Sequence, residues 1–109
     1  FRTGSTYNWG IGILASRNDF TIFNHVISSE SLTINATTNN VLIGTTTDSG
    51  NKLKVNGDIL STQYKLSALN TAPTSATDTG TLGEVRITST YIYVCTATNT
   101  WVRTALTTW

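Results

Sequence analysis

Residues 39–57 read "NNVLIGTTTDSGNKLKVNG". An apolar run stops at Gly44, three threonines and an Asp-Ser-Gly turn follow, and Leu53, Lys54 and Val55 alternate before Asn56 and Gly57. Val41 to Ile43 is too short for a helix and suits a buried strand ended by Gly44. Leu53 and Val55 are expected to point inward from a second strand and Lys54 outward. Asn56 and Gly57 both tolerate the positive φ of a type I′ turn, which predicts a hairpin folding this strand onto residues 58–60. No cluster of acids, bases or nucleophiles interrupts the stretch, so it reads as scaffold.

Working outward, "YNWGIGILAS" sets Trp9, Ile11 and Ile13 on one strand face and leaves Gly10 and Gly12 bare on the other, an invitation to close approach by another backbone. "FTIFNHVI" has apolar residues on both faces, Phe20, Ile22 and Val26 against Phe23 and Ile27, and predicts a strand buried on both sides. "SLTINATTNN" returns to simple alternation through Leu32 and Ile34. "STQYKLSAL" continues as a strand with Tyr64 and Leu66 on one face, or as a short helix, since Leu60 and Tyr64 are four apart. Residues 70–82 hold Pro73, the single proline, among small polar residues without period, and read as a linker or extended crossing segment. "EVRIT", "YIYVCT" and "TWVRTAL" then predict a three-stranded antiparallel meander over residues 83–109. The expected organisation is a β-rich shaft segment at 1–69, the linker, and that C-terminal module.

Composition agrees with an all-β chain. Charged residues are only 12% of the 109, and seven basic against six acidic side chains leave a formal charge of +1, so no electrostatic footprint for nucleic acid exists. Thr, Ser and Asn dominate the polar positions, and β-branched Thr fits a pleated surface. Apolar runs of a few residues fall far short of the ~20 that a membrane helix needs, so no membrane insertion is expected. One cysteine, Cys95, cannot form an internal disulfide. Short strands between Gly and Asn turns make a single compact core hard to build, and oligomerisation is the simplest remedy. The chain opens on Phe1 rather than Met, which is read as the mark of a fragment.

Two stretches carry a resemblance. "NNVLIGTTTDSGNKLKVNGDI", residues 39–59, closely resembles the "G-N-V-x-I-G-T…K-L-x-V-N-G" unit that recurs in the distal parts of bacteriophage tail-fibre proteins, and "GEVRITSTYIYVCTATNTWVRTALTTW", residues 83–109, looks like a small module at the end of such fibres. The resemblance implies an elongated homotrimer, a β-prism or intertwined strands, with a terminal β module used in host attachment. It implies as partners two further copies of the chain, other virion structural proteins, and a host surface polysaccharide or protein, with a location on the virion exterior, tail or capsid. One copy of the unit, where repeating shafts have several, suggests the terminal segment of a fibre.

Candidate chemistry is sparse. His25 is alone, with no second ligand at metal-binding spacing, so no metal or other cofactor is expected. Cys95 alternates with Tyr91 and Tyr93 and reads as a small buried hydrophobe rather than a nucleophile. Asp19, Glu30, Asp48, Asp58, Asp78 and Glu84 mostly border Gly, Asn or Ser, where turn chemistry explains them. A glycosidase would need two carboxylates across one sugar, and nothing selects such a pair. Tyr91, Tyr93, Trp101 and Arg103 bring aromatic and cationic character to the C-terminal end, as a receptor-binding surface requires, although Trp101 and one Tyr face would equally fill the core of a meander. The expectation is a fibre protein without enzymatic activity that attaches to a host; the rivals are a capsid-attached head fibre or decoration protein, and a polysaccharide depolymerase tip.

Overall fold

The computed structural model describes residues 2–3 and 6–109. All regular structure among them is β, and the chain separates into two compact units, Phe1–Ser61 and Thr62–Trp109. In the first unit β1 (Arg2–Thr3) and β2 (Thr6–Tyr7) form a small antiparallel ribbon. A five-stranded sheet follows in chain order: β3 (Trp9–Leu14), β4 (Asp19–Asn24), β5 (Ser29–Ile34), β6 (Val41–Ile43) and β7 (Leu53–Val55). Its first turns are built by Asn and Ser. Asn18, Ser28 and Asn39 take positive φ, and the Asn24 and Asn35 side chains accept hydrogen bonds from the amides of Val26, Thr37 and Thr38.

The pairing of β6 with β7 is parallel, with Val41 opposite Leu53 and Ile43 opposite Val55. A parallel neighbour cannot be reached by a tight turn, so residues 44–52 must cross over one face of the sheet. Asp48 organises that crossing: it accepts from the Thr38 hydroxyl at 2.6 Å, from the Asn40 amide at 3.0 and 3.1 Å, and from the Gly50 backbone at 2.8 Å. Lys54, in the middle of β7, donates to the Thr47 carbonyl at 2.9 Å. Beneath the crossing Leu42 and Thr33, opposite each other in the ladder, are fully buried.

Strand register sorts the other face. Ile13, Phe20, Ile34, Val41 and Leu53 form one row across the five strands, and Ile11, Ile22, Leu32, Ile43 and Val55 form the next. Side chains two apart share a face, so ten apolar residues make one continuous surface. Among the described residues nothing closes over its edges: Ile13 is 64% exposed, Leu53 56% and Ile11 53%.

Several sequence expectations are corrected here. Asn56–Gly57 forms no hairpin: residues 56–84 contain no strand, and Asn56 instead donates from its amide to the Gly44 carbonyl and from its backbone to Ile43. The turn signal is present, but β7 is already paired to β6 in the parallel sense and the chain leaves the sheet. Residues 60–66 form neither strand nor helix, and Leu60 and Tyr64 lie exposed. The strand expected over 20–27 ends at Asn24, with His25 to Ser28 turning and Val26 and Ile27 exposed. Leu53 joins the open face and is not inward in the single chain.

In the second unit β8 (Val85–Ile87), β9 (Tyr91–Ala97) and β10 (Thr100–Ala105) form the antiparallel meander in the order β10-β9-β8. Residues 70–82 pack against it from edge to edge. Asn70 exchanges hydrogen bonds with Ile87 on β8, and Ala76 and Gly80 accept from the backbones of Trp101 and Asn99 on the β10 side. The compact unit that holds the meander begins at Thr62.

Candidate receptor-contacting groove

Alternation along β9 sends Tyr91, Tyr93 and Cys95 to one face of the meander, joined there by Trp101 and Arg103 of β10 and Arg86 of β8. Arg86, Tyr93 and Arg103 stand in one row across the three strands. The crossing segment covers the end of this face that holds Trp101. The indole donates to the Asp78 carbonyl at 3.0 Å, and Gly80 lies so close that a Cβ there would stand 2.5 Å from the ring. Trp101, Tyr93 and Cys95 form the buried cluster, with Ala72 and Tyr91 packed on it. The Cys95 thiol is buried against the Ala97 carbonyl at 3.0 Å.

Carboxylates hold the frame. The amides of Thr74 and Thr79 donate to Asp78 and keep its carboxyl below the usual range. Glu84 is lowered by Arg86, which bonds it at 2.8 Å, and by the Thr81 amide. Arg86 also lies over the Trp101 ring at 4.8 Å. Arg103 differs from its counterpart across Tyr93: its guanidinium stacks 4.1 Å from the Tyr91 centroid and pairs with no carboxylate among the described residues.

Where the crossing segment leaves the sheet a groove of about 340 Å³ opens, lined by Pro73, Thr74 and Ser75 on one side and by Tyr93, Trp101 and Arg103 on the other. Three of the four residues singled out in the sequence therefore meet at one groove, and Tyr91 stands behind it as the platform for Arg103. Trp101 and Tyr93 serve chiefly as core, being 5% and 8% exposed. The opposite wall was hidden from sequence reasoning, because residues 73–75 have no period; the cue was Pro73 among hydroxyl residues shortly before an aromatic meander.

The remaining candidates lie apart from the groove. In the first unit His25 sits in an exposed turn, edge-on to Phe23 at 4.9 Å, with its Nε2 2.9 Å from where a Gly10 Cβ would stand. A side chain, not a backbone, has taken the space over that glycine. Asp19 is buried, lowered by the Ala36 amide and by Arg17, which also reaches Glu30. Among the described residues no group of three or more His, Cys, Asp or Glu is placed to hold a metal, and no helix is long and apolar enough to cross a membrane.

No family model and no solved structure matches the chain. It is similar to a capsule K30/K69-specific depolymerase of Klebsiella phage K64-1, with 42% identity over 53 residues. That alignment covers 49% of this chain and 6% of the phage protein, so the chain spans a small part of its relative's length. The similarity supports a phage origin. It also overturns the expectation of a protein without enzymatic activity, since the relative is named as an enzyme. That expectation rested on finding no selected carboxylate pair in 109 residues, a stretch too short to represent a protein of the relative's size.

Proposed function

We propose that this chain is a segment of a phage tail protein of the capsule-depolymerase kind, that three copies assemble on the virion exterior, and that the second unit engages the host surface. The observation that carries the reading is the ten-residue apolar face of the five-stranded sheet. The chain's own crossing covers the part of the opposite face that carries Thr33 and Leu42, while this one is left open among the described residues. Monomeric soluble proteins rarely expose so continuous an apolar patch. Copies of the same chain suit it best, because neither row contains a polar or charged side chain that would select a different partner, and symmetry lets identical faces share one core. The partial likeness to a phage depolymerase supports the setting, and the aromatic and cationic groove supplies the contact surface.

The test is retention of the purified chain on a panel of encapsulated bacteria. Retention by at least one strain is expected, and Tyr91→Ala combined with Arg103→Ala should weaken it roughly tenfold or more while leaving the oligomer intact. Equal retention of the double variant would contradict the assignment of the groove. Release of reducing sugar ends during the incubation would place the depolymerase chemistry within this segment itself.

A further inference from the structure

We infer that the groove between residues 73–75 and Arg103 is selective for saccharides that carry a carboxylate, a narrower statement that rests on reading the second unit as a host-surface contact. Arg103 is the one ionisable cation or anion among the groove's polar lining, and the carboxylates nearest in sequence are engaged elsewhere. Asp78 accepts from the Thr74 and Thr79 amides, and Glu84 is held by Arg86 and the Thr81 amide. Arg103 is thus the only charged side chain lining the groove, and no carboxylate among the described residues lies within ion-pair distance of it.

The two arginines of one row differ. Arg86 and Arg103 flank Tyr93 in register, yet Arg86 has Glu84 at 2.8 Å and Arg103 has only aromatic faces, Tyr91 at 4.1 Å and Tyr93 at 6.0 Å. Stacking restricts the guanidinium without using its N–H donors, so its planar fork remains available for two parallel bonds to a carboxylate at little further loss of freedom. A lysine could not be oriented in this way.

Thr74 and Ser75 are exposed and carry hydroxyls across from Arg103, each with one partner in the chain, Asp78 and Thr77, and capacity for a further bond, while buried Pro73 and the small accessible edges of Tyr93 and Trp101 supply an apolar floor. Hydroxyl partners over such a floor suit a sugar ring, and about 340 Å³ lies at the small end of ligand sites, enough for one or two rings. A phosphate or a free inorganic anion would use the fork but not the floor.

The experiment titrates the intact 109-residue chain with a glucuronate-containing tetrasaccharide and with the same tetrasaccharide after its carboxyls are reduced to alcohols. Tryptophan fluorescence gives the readout. The acidic form is expected to bind about tenfold or more tightly than the reduced form, with a preference that Arg103→Gln removes and added salt weakens. Arg103→Lys, which keeps the charge and loses the fork, should recover only part of it. Equal binding of the two forms, or a preference that survives in Arg103→Gln, would overturn the inference. Chain that adsorbs to bacteria through Arg103 yet ignores both saccharides would also overturn it, pointing to a protein receptor and leaving the attachment reading in place. If acidic saccharide binds through Arg103 but adsorption is unchanged in Arg103→Gln, the site stands and the attachment reading fails.

Discussion

In the second unit Tyr93, Cys95 and Trp101 are buried together, whereas in the first Leu42 is the sole apolar side chain buried to that degree among the described residues. Both units are small sheets with one apolar or aromatic face to cover. In the second, residues 70–82 run across that face and add hydrogen bonds at both edges, so one chain completes the core. The first uses its own crossing, residues 44–52, on the face that carries Thr33 and Leu42, and among the described residues nothing covers the ten-residue apolar face. The same economy of sequence thus gives one unit that completes its own core and another that leaves an apolar face open among the described residues.

The largest expected effect breaks the first unit through its open face. Ile43→Asp should abolish the oligomer, because a carboxylate buried between chains without a partner costs several kcal/mol. Were the face solvent-exposed in the native protein, the same change would be worth within about 0.5 kcal/mol, and sedimentation would see no difference.

Next comes the core of the second unit. Trp101→Ala is expected to cost about 3–5 kcal/mol, and Gly80→Val a comparable amount, since its first carbon would already meet the indole. Gly12→Val is the control from the first unit, where a Cβ meets nothing within 4 Å, and should change thermal stability little. Equal losses for the two glycine variants would undo the account of the crossing segment.

Acid should weaken both units. Asp19, Asp48, Asp78 and Glu84 all have folded-state pKa values below the ordinary 3.8 and 4.5. Their contribution is complete above those ordinary values and is lost as pH falls through the depressed ones, so melting temperature should drop from about pH 5 downward. Asp48→Asn should flatten that dependence in the first unit, where Thr38, Asn40 and the Gly50 amide lower the carboxyl, and leave the second unit's response unchanged. An identical acid profile for the variant would show that the crossing is not held by Asp48.

A smaller effect is expected at Gly44, whose φ of +68° begins the crossing. Gly44→Ala should cost roughly 1 kcal/mol through left-handed backbone strain, measurable by denaturant titration. No cost would place the strain elsewhere in the loop.

Much of this was legible in the residues. Period-two alternation located the strands from Trp9 to Val55 and from Val85 to Ala105, since each has one face that must be covered. What alternation cannot encode is pairing direction. Asn56–Gly57 carries a strong local turn signal, yet the long-range parallel pairing of Leu53–Val55 with Val41–Ile43 decided the outcome. Residues 70–82 were legible as a linker or extended crossing segment, but not as the cover of the meander's core, because much of their hold comes from backbone groups of Asn70, Ala76 and Gly80, which leave no mark in side-chain pattern. At the groove the aromatic and cationic half was visible as composition, while the stacking of Arg103 without a carboxylate partner among the described residues needed the register that sets it beside Tyr91 and Tyr93.

The central claim is that the apolar face of the first unit is covered by other copies of the chain. Light scattering from the purified chain at about 10 μM tests it most directly, because assembly is favoured by concentration and the species differ threefold in mass. A particle of about 35 kDa, three times the 11.8 kDa of one chain, is the expected result; a stable species of 11.8 kDa would contradict it.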